Sequence, residues 1–271
     1  MLKKRLITAL WGIPLLIIVI WFSEPEYSFP LFTLFIAIWG MLASFEFYKI
    51  TSISRILPLI ISGIILVVLF IIRPHFKSVP YYPIILAAAF VLPMVLLFIR
   101  RKEEEIINTW SWTVAGILYV GLLLSYLVDL RLEAGRNWVF LAILATFGSD
   151  TMAYFVGRAF GRHKMAPRIS PNKTWEGAAA GIVGAICISL LFTISWGLQL
   201  PINYWQAVLL GVLISVFGQI GDLLESALKR YAGVKESGSL MPGHGGLLDR
   251  MDSVVFAGVV VYIYYLVAVA Y

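Results

Sequence analysis

Charge is what this chain has least of. Only 13% of its 271 residues are Asp, Glu, Lys or Arg, while 61% are apolar; soluble domains run near 25% charged and 45–50% apolar. An ordinary soluble globule is thereby excluded. Cysteine is nearly absent as well: Cys187 stands alone and can form no intrachain disulfide. Its place in the apolar run 181–191 reads as that of a small core residue. No repeat of 20 to 50 residues, low-complexity tract or linker divides the chain, and no G-x-x-x-x-G-K-S/T phosphate loop is present.

Long apolar runs are what the sequence does contain. They fall near 6–22, 30–48, 56–72, 81–99, 110–130, 138–156, 177–198, 205–222 and 253–270. A bilayer-crossing helix takes about 20 mainly apolar residues, so nine of them use roughly 180 positions and leave about 90 for loops and termini. The fold class expected is an all-α polytopic membrane protein of about nine transmembrane helices, forming one transmembrane domain over 1–271. Within it, 1–135 supplies amino-terminal helices and 136–271 the helices and loops that carry chemistry. The first run follows Lys3, Lys4 and Arg5 but lacks a small-x-small cleavage site before Glu24, so it reads as a retained helix.

Cytoplasmic loops are enriched in Lys and Arg. With the amino terminus inside, 17 of the 21 Lys and Arg lie on inner segments, leaving Arg73, Lys77, Arg131 and Arg136 outside. The formal net charge of +6 therefore reflects orientation, and no nucleic-acid partner is expected. The two long polar stretches, about 157–176 and 223–252, both fall on the cytoplasmic side in this scheme and are expected to meet there. The expected location is the inner membrane, with the site facing the cytoplasm.

Carboxylates in apolar runs are costly and usually face a partner, a cavity or an ion. Glu46, Asp150, Glu176, Asp222 and Glu225 qualify. For Glu46, beside Lys49 at the end of its run, the plainer reading is a solvated carboxylate. Asp222 is followed by Ser226, Lys229 and Arg230 on one helical face, which suits a phosphate held partly through a metal. An equally simple account is a salt-bridged helix end, Glu225 with Lys229 being an ordinary i,i+4 pair. Next come Lys235, Glu236 and a glycine-rich turn with Pro242, His244, Gly245 and Gly246, then Asp249, Arg250 and Asp252. Backbone amides of such turns form anion-binding concavities. The other inner loop offers Asp150, Arg168, Ser170, Lys173 and Thr174, a basic set with hydroxyls suited to a nucleotide or a lipid phosphate. Arg162 and Lys164 read more simply as contacts to anionic lipid. Trp110, Trp112, Trp138 and Trp205 lie near span ends and read as interfacial anchors. Gly177 and Gly181 mark close helix packing.

These motifs resemble the phosphatidate cytidylyltransferases, or CDP-diacylglycerol synthases. That family's pattern has S-x-apolar-K-R, then K-D, a small residue, and P-x-H-G-G-apolar-x-D-R-apolar-D. Ser226, Lys229, Arg230, Lys235, Gly238, Pro242, His244, Gly245, Gly246, Asp249, Arg250 and Asp252 stand at matching intervals, and the stretch from Asp150 through Gly177 is similar to the family too. The likeness is dense over 150–252 and thinner across the amino-terminal helices. One position departs: Glu236 stands where the family has Asp. An added methylene moves a carboxylate by on the order of 1 Å, and Mg²⁺ demands near-ideal octahedral geometry, so Glu236 is left out of the ligand set.

The resemblance implies a reaction in which phosphatidic acid attacks the α-phosphorus of CTP, giving CDP-diacylglycerol and pyrophosphate at the membrane surface. It implies Mg²⁺, with room for a second metal ion, and is compatible with a homodimer. Asp222 and Asp249 are then the expected metal ligands, with Asp252 beside them. Lys229, Arg230, Lys235 and Arg250 would hold phosphates, and Lys173 and Arg168 would reach CTP or the lipid headgroup. His244 would either bond a phosphate or the leaving pyrophosphate or else shape its own glycine turn, and Ser226, Asp150, Ser170, Thr174, Gly245 and Gly246 would line the substrates. The alternative is a polytopic transporter, which calls for charges near the bilayer midplane and paired repeats. The D-G-x-x-A-R motif of CDP-alcohol phosphatidyltransferases is absent.

Overall fold

The computed structural model describes residues 2–23, 31–51, 56–76, 80–100, 106–194, 197–238, 240 and 245–269. Helices dominate because an apolar bilayer core offers backbone N–H and C=O groups no partner but each other. In chain order they are α1 (Leu2–Trp21), α2 (Leu31–Ile50), α3 (Leu57–Ile72), α4 (Tyr81–Arg100), α5 (Ile106–Gly116), α6 (Leu123–Asp129), α7 (Arg136–Phe160), α8 (Trp175–Leu191), α9 (Tyr204–Tyr231) and α10 (Asp252–Ala268). Among the described residues, six helical stretches are long and apolar enough to cross a membrane, with α5 and α6 joined in one of them, and three shorter apolar helices accompany them. These nine coincide with the nine runs read from the sequence. The chain is a multi-pass, all-α membrane protein.

The chain folds as two compact units. The first comprises 1–128 and 236–249. Its core gathers Leu66, Phe70, Ile85, Ala89 and Ile117 from α3, α4 and a π-helical turn at Ile117–Leu122. Tyr48 of α2 is fully buried. Its ring fills the space that Cβ atoms on Gly63 and Gly116 would need, and its hydroxyl donates to Thr113 O at 3.4 Å. A large side chain facing two glycines allows close helix approach without a void.

The second unit comprises 129–235 and 250–271. Here α8 lies against α7 at backbone distance: a Cβ on Gly177 would come within 2.8 Å of Ala153 O, and one on Gly181 within 2.9 Å of Ser149 Oγ. The small residues expected to permit close packing do so. Polar stitches tie α9 to both of these helices, with Ser149 Oγ of α7 and Ser215 Oγ of α9 2.8 Å apart and Gln219 Nε2 donating to Ala178 O of α8 as well as to Ser215 Oγ within α9. Such bonds within apolar helices contribute modestly, about 0.6 kcal/mol on average. Asn203 and Gln206 cap α9 reciprocally, each side chain accepting the other's backbone N–H.

One short element is added to the helices and two expectations are corrected. An antiparallel hairpin, β1 (Lys164–Ala166) with β2 (Ser170–Thr174), interrupts the helices, pairing Lys164 with Thr174 and Ala166 with Ser170. Pro167 follows Ala166 in the turn, where its fixed φ suits the second position, and Ile169 N–H closes the turn on Ala166 O at 3.1 Å. Trp138 is 2% exposed and packs on Tyr264 and Tyr265, a core side chain rather than an interfacial anchor. Cys187 is exposed on α8 and lines an apolar groove of about 440 Å³ with Phe147, Gly148, Met152 and Gly184, so it is no core residue.

Candidate active site

The end of α9 supplies the first functional carboxylate. At about 1.5 Å per residue, a 28-residue helix rises about 42 Å against a hydrocarbon core of about 30 Å, so its last turns emerge into the polar zone. Asp222 lies near that boundary. Its Oδ2 meets Lys173 Nζ at 2.7 Å, and its Oδ1 accepts the Ser226 hydroxyl at 3.3 Å. Lys173 comes from β2, so the second unit joins residues from both polar stretches. This exceeds a salt-bridged helix end, although the ordinary i,i+4 pair between Lys229 and the wholly buried Glu225 is present too.

Two more aspartates belong to the same electrostatic group. Asp150 of α7 interacts with Asp222, Lys173 and Arg250, and Asp252 at the start of α10 interacts with Asp222, Asp150 and Lys229. Asp252 Oδ1 also accepts the Ser253 N–H at 2.8 Å. Three carboxylates thus share one region with Lys173, Lys229 and Arg250. Like charges so placed repel one another, and that repulsion falls when a cation or a cationic side chain lies among them.

The hairpin that delivers Lys173 is fastened at both ends. Trp175 N–H donates to His163 O at 3.0 Å, and His163 Nδ1 contacts Glu176 Oε1 at 2.6 Å. Thr174 is 3% exposed and caps α8, its hydroxyl accepting the Gly177 N–H at 3.2 Å. At the other end Arg230 donates through Nε to Ile169 O and through Nη1 to Val234 O, clasping the hairpin turn to the end of α9. Arg168 lies exposed in that turn, and Ser170 is half-buried in β2.

The glycine-rich segment belongs to the first unit up to Asp249. Gly245 holds a φ of +83°, which L side chains rarely adopt. Asp249 Oδ2 accepts the N–H groups of Ser237 and Gly246 at 3.1 and 2.8 Å. One oxygen of this nominated metal ligand therefore shapes its own loop. Glu236 and Lys235 are exposed. Pro242, Gly243 and His244 lie outside the described residues. Glu46, read from sequence as a solvated carboxylate, is instead 2% exposed and bonded to this loop.

Sequence reasoning missed Glu46 because its neighbour Lys49 suggested a helix end in water. It also missed the His163 to Glu176 contact, for which only the residue types gave a hint. Among the described residues no group of three or more His, Cys, Asp or Glu is spaced to hold a metal ion. The donor chemistry of Asp150, Asp222 and Asp252 nevertheless suits a hard divalent cation, which prefers carboxylate oxygens.

Comparison with known proteins gives these residues a context. The profile of the cytidylyltransferase family matches residues 3–268. The chain is 35% identical to a phosphatidate cytidylyltransferase of Bacillus subtilis over 98% of each chain. It is 42% identical to a phosphatidate cytidylyltransferase of Staphylococcus saprophyticus over 54% of this chain and 55% of that one. Over 66% of this chain and 50% of the other, it is 43% identical to the chloroplastic phosphatidate cytidylyltransferase 5 of Arabidopsis thaliana. None of these relatives supports the transporter alternative. With nearly the whole length matched, the chain belongs to the cytidylyltransferase family.

Proposed function

We propose that this protein transfers CMP from CTP to phosphatidic acid, releasing pyrophosphate and leaving CDP-diacylglycerol in the membrane. The observation that carries this reading is the junction of Lys173 and Asp222 with Asp150, Asp252, Lys229 and Arg250 at helix ends of a multi-pass protein of this family. Both substrates are phosphate anions, one dissolved and one anchored by its acyl tails. A group of fixed cations and carboxylates at the end of apolar helices is where the two can meet. Keeping the tails in hydrocarbon avoids a cost of about 0.8 kcal/mol per CH₂.

A phosphate monoester has a second pKa of about 6, so its oxygen is largely ionised at pH 7 and needs no strong base. That oxygen forms a bond to the α-phosphorus of CTP while the bond from this phosphorus to the bridging oxygen breaks. The electron pair leaves with pyrophosphate. The barrier lies in repulsion between two anions, and fixed positive charge lowers it by positioning both groups. Lys173, Lys229 and Arg250 supply that charge, with Lys235 and Arg168 reaching outward for nucleotide phosphates. Asp222 orients Lys173, and Ser226 fixes the Asp222 carboxylate.

A divalent cation of the Mg²⁺ type would be held by Asp222 with Asp150 or Asp252. When bound, it neutralises charge on the nucleotide phosphates. The amino terminus and the site face the cytoplasm, a reading supported by the distribution of Lys and Arg and by the supply of CTP from that side.

The test is pyrophosphate release by protein purified in detergent, with CTP and with or without phosphatidic acid. Release is expected only when both substrates and a divalent cation are present, and chelation should abolish it reversibly. Release without the lipid, or none with it, contradicts the reading.

A further inference from the structure

A carboxylate far outside the motif is bonded to the glycine-rich loop. Glu46 lies near the end of α2, about 190 residues before that loop in sequence, yet both belong to the same compact unit. Its Oε2 accepts the Leu248 N–H at 3.0 Å and the Ser237 hydroxyl at 3.2 Å. Cβ atoms on Gly238 and Gly246 would collide with its Oε1 and Oε2. Thus the loop has glycine where it folds over this carboxylate. From the other side, Asp249 Oδ2 takes the N–H groups of Ser237 and Gly246. Two carboxylates therefore grip the two ends of one loop, at 237–238 and at 246–248.

Stability alone would not put a carboxylate here. Glu46 is 2% exposed, and its Oε1 is buried without a hydrogen-bond partner. An acidic group so placed costs stability unless its bonds matter, and an apolar side chain would fill the same space without that cost. What the carboxylate adds is a common anchor: one oxygen holds two donors that lie 11 residues apart, at Ser237 and Leu248, and so fixes those two points of the loop against each other.

We infer that Glu46 is a positioning residue for the transfer reaction, holding the glycine-rich loop in its working conformation without touching either substrate. The inference rests on the function proposed above. A displacement of about 1 Å in a positioning element costs on the order of 10²-fold in rate. Glu46→Ala removes the shared acceptor and leaves the Leu248 N–H and the Ser237 hydroxyl without it. Its expected kcat is about 100-fold below wild type, with the KM for phosphatidic acid within about threefold. Glu46→Gln restores an acceptor of the same reach and is expected to recover at least a third of the wild-type kcat.

The decisive experiment pairs those kinetics with hydrogen–deuterium exchange of the full-length protein in detergent. Peptides spanning 236–249 are expected to exchange at least tenfold faster in Glu46→Ala, to return toward wild type in Glu46→Gln, and to change little elsewhere. Should Glu46→Ala fail to fold, Ser237→Ala removes one of the two donors, and faster exchange in the same peptides with a kcat several-fold lower is then expected. Unchanged exchange at 236–249 in the variant that folds overturns the inference, as does a wild-type kcat there. An inactive wild-type protein sinks the proposed function instead, while the exchange data still report whether Glu46 holds the loop.

Discussion

Removing the charge of Asp222 separates a structural from a chemical role for its pair with Lys173. Two unit charges 4 Å apart attract by about 4 kcal/mol at an effective dielectric of about 20. At 2.7 Å the attraction is larger, but the side chains keep 20% and 33% of their exposure. Solvent screening and desolvation therefore offset most of it. Exposed pairs are worth about 0.2–1 kcal/mol, and removing one partner of a buried pair costs about 3–5 kcal/mol. A pair between those limits should lose about 1–2 kcal/mol when Asp222→Asn discharges one side, since the amide oxygen still accepts from Ser226. Against a folding stability of even about 5 kcal/mol, that leaves under about 1% unfolded. Turnover, however, should fall by more than about 100-fold, because a group arranged around developing phosphate charge loses its orienting anion. The assay is label transfer from CTP to phosphatidic acid, beside thermal unfolding in detergent, for Asp222→Asn, Lys173→Ala and the double variant. Near-additive losses in the double variant, or Asp222→Asn with more than about a third of wild-type turnover, would refute the reasoning.

Other perturbations bear on the framework around the site. Gly211→Leu should lower the thermal midpoint sharply, because even a Cβ there comes within 2.6 Å of Ile186 Cα on α8; differential scanning fluorimetry reads the shift, and an unchanged midpoint counts against the helix packing. Arg230→Ala releases Ile169 O and Val234 O, so limited proteolysis within 164–174 should accelerate while the thermal midpoint moves little. Cys187 lines an apolar groove among membrane-crossing helices; in intact vesicles it should react with a membrane-permeant thiol reagent and resist an impermeant one, whereas equal labelling by both places that face of α8 in water.

Much of the architecture is legible in the sequence because hydrophobicity over about 20 residues is the dominant signal in a membrane protein. The run near 205–222, for example, is the apolar part of α9. What it leaves out is instructive: α9 runs on to Tyr231, since Asp222, Glu225 and Lys229 can continue a helix once it leaves the hydrocarbon. The hairpin at 164–174 was not legible, as Ser170, Pro171, Asn172, Lys173 and Thr174 carry no alternating apolar pattern. Its strands are held by hydrogen bonds and by Arg230, which periodicity does not report. For the site, residue types nominated Asp222 and Lys173, but only the fold shows them paired across 49 positions of sequence. Glu46 and Trp138 were misread for one common reason. Position near the end of a span says little about whether a helix face turns toward lipid, water or neighbouring helices.

The most direct measurement follows the label through the reaction in lipid vesicles containing the purified protein and phosphatidic acid. With CTP labelled at the α-phosphorus, radioactivity is expected in the organic-extractable lipid; with label at the γ-phosphorus, it is expected only in aqueous pyrophosphate. Label from the γ position in the lipid, or none from the α position, contradicts transfer of CMP by this protein.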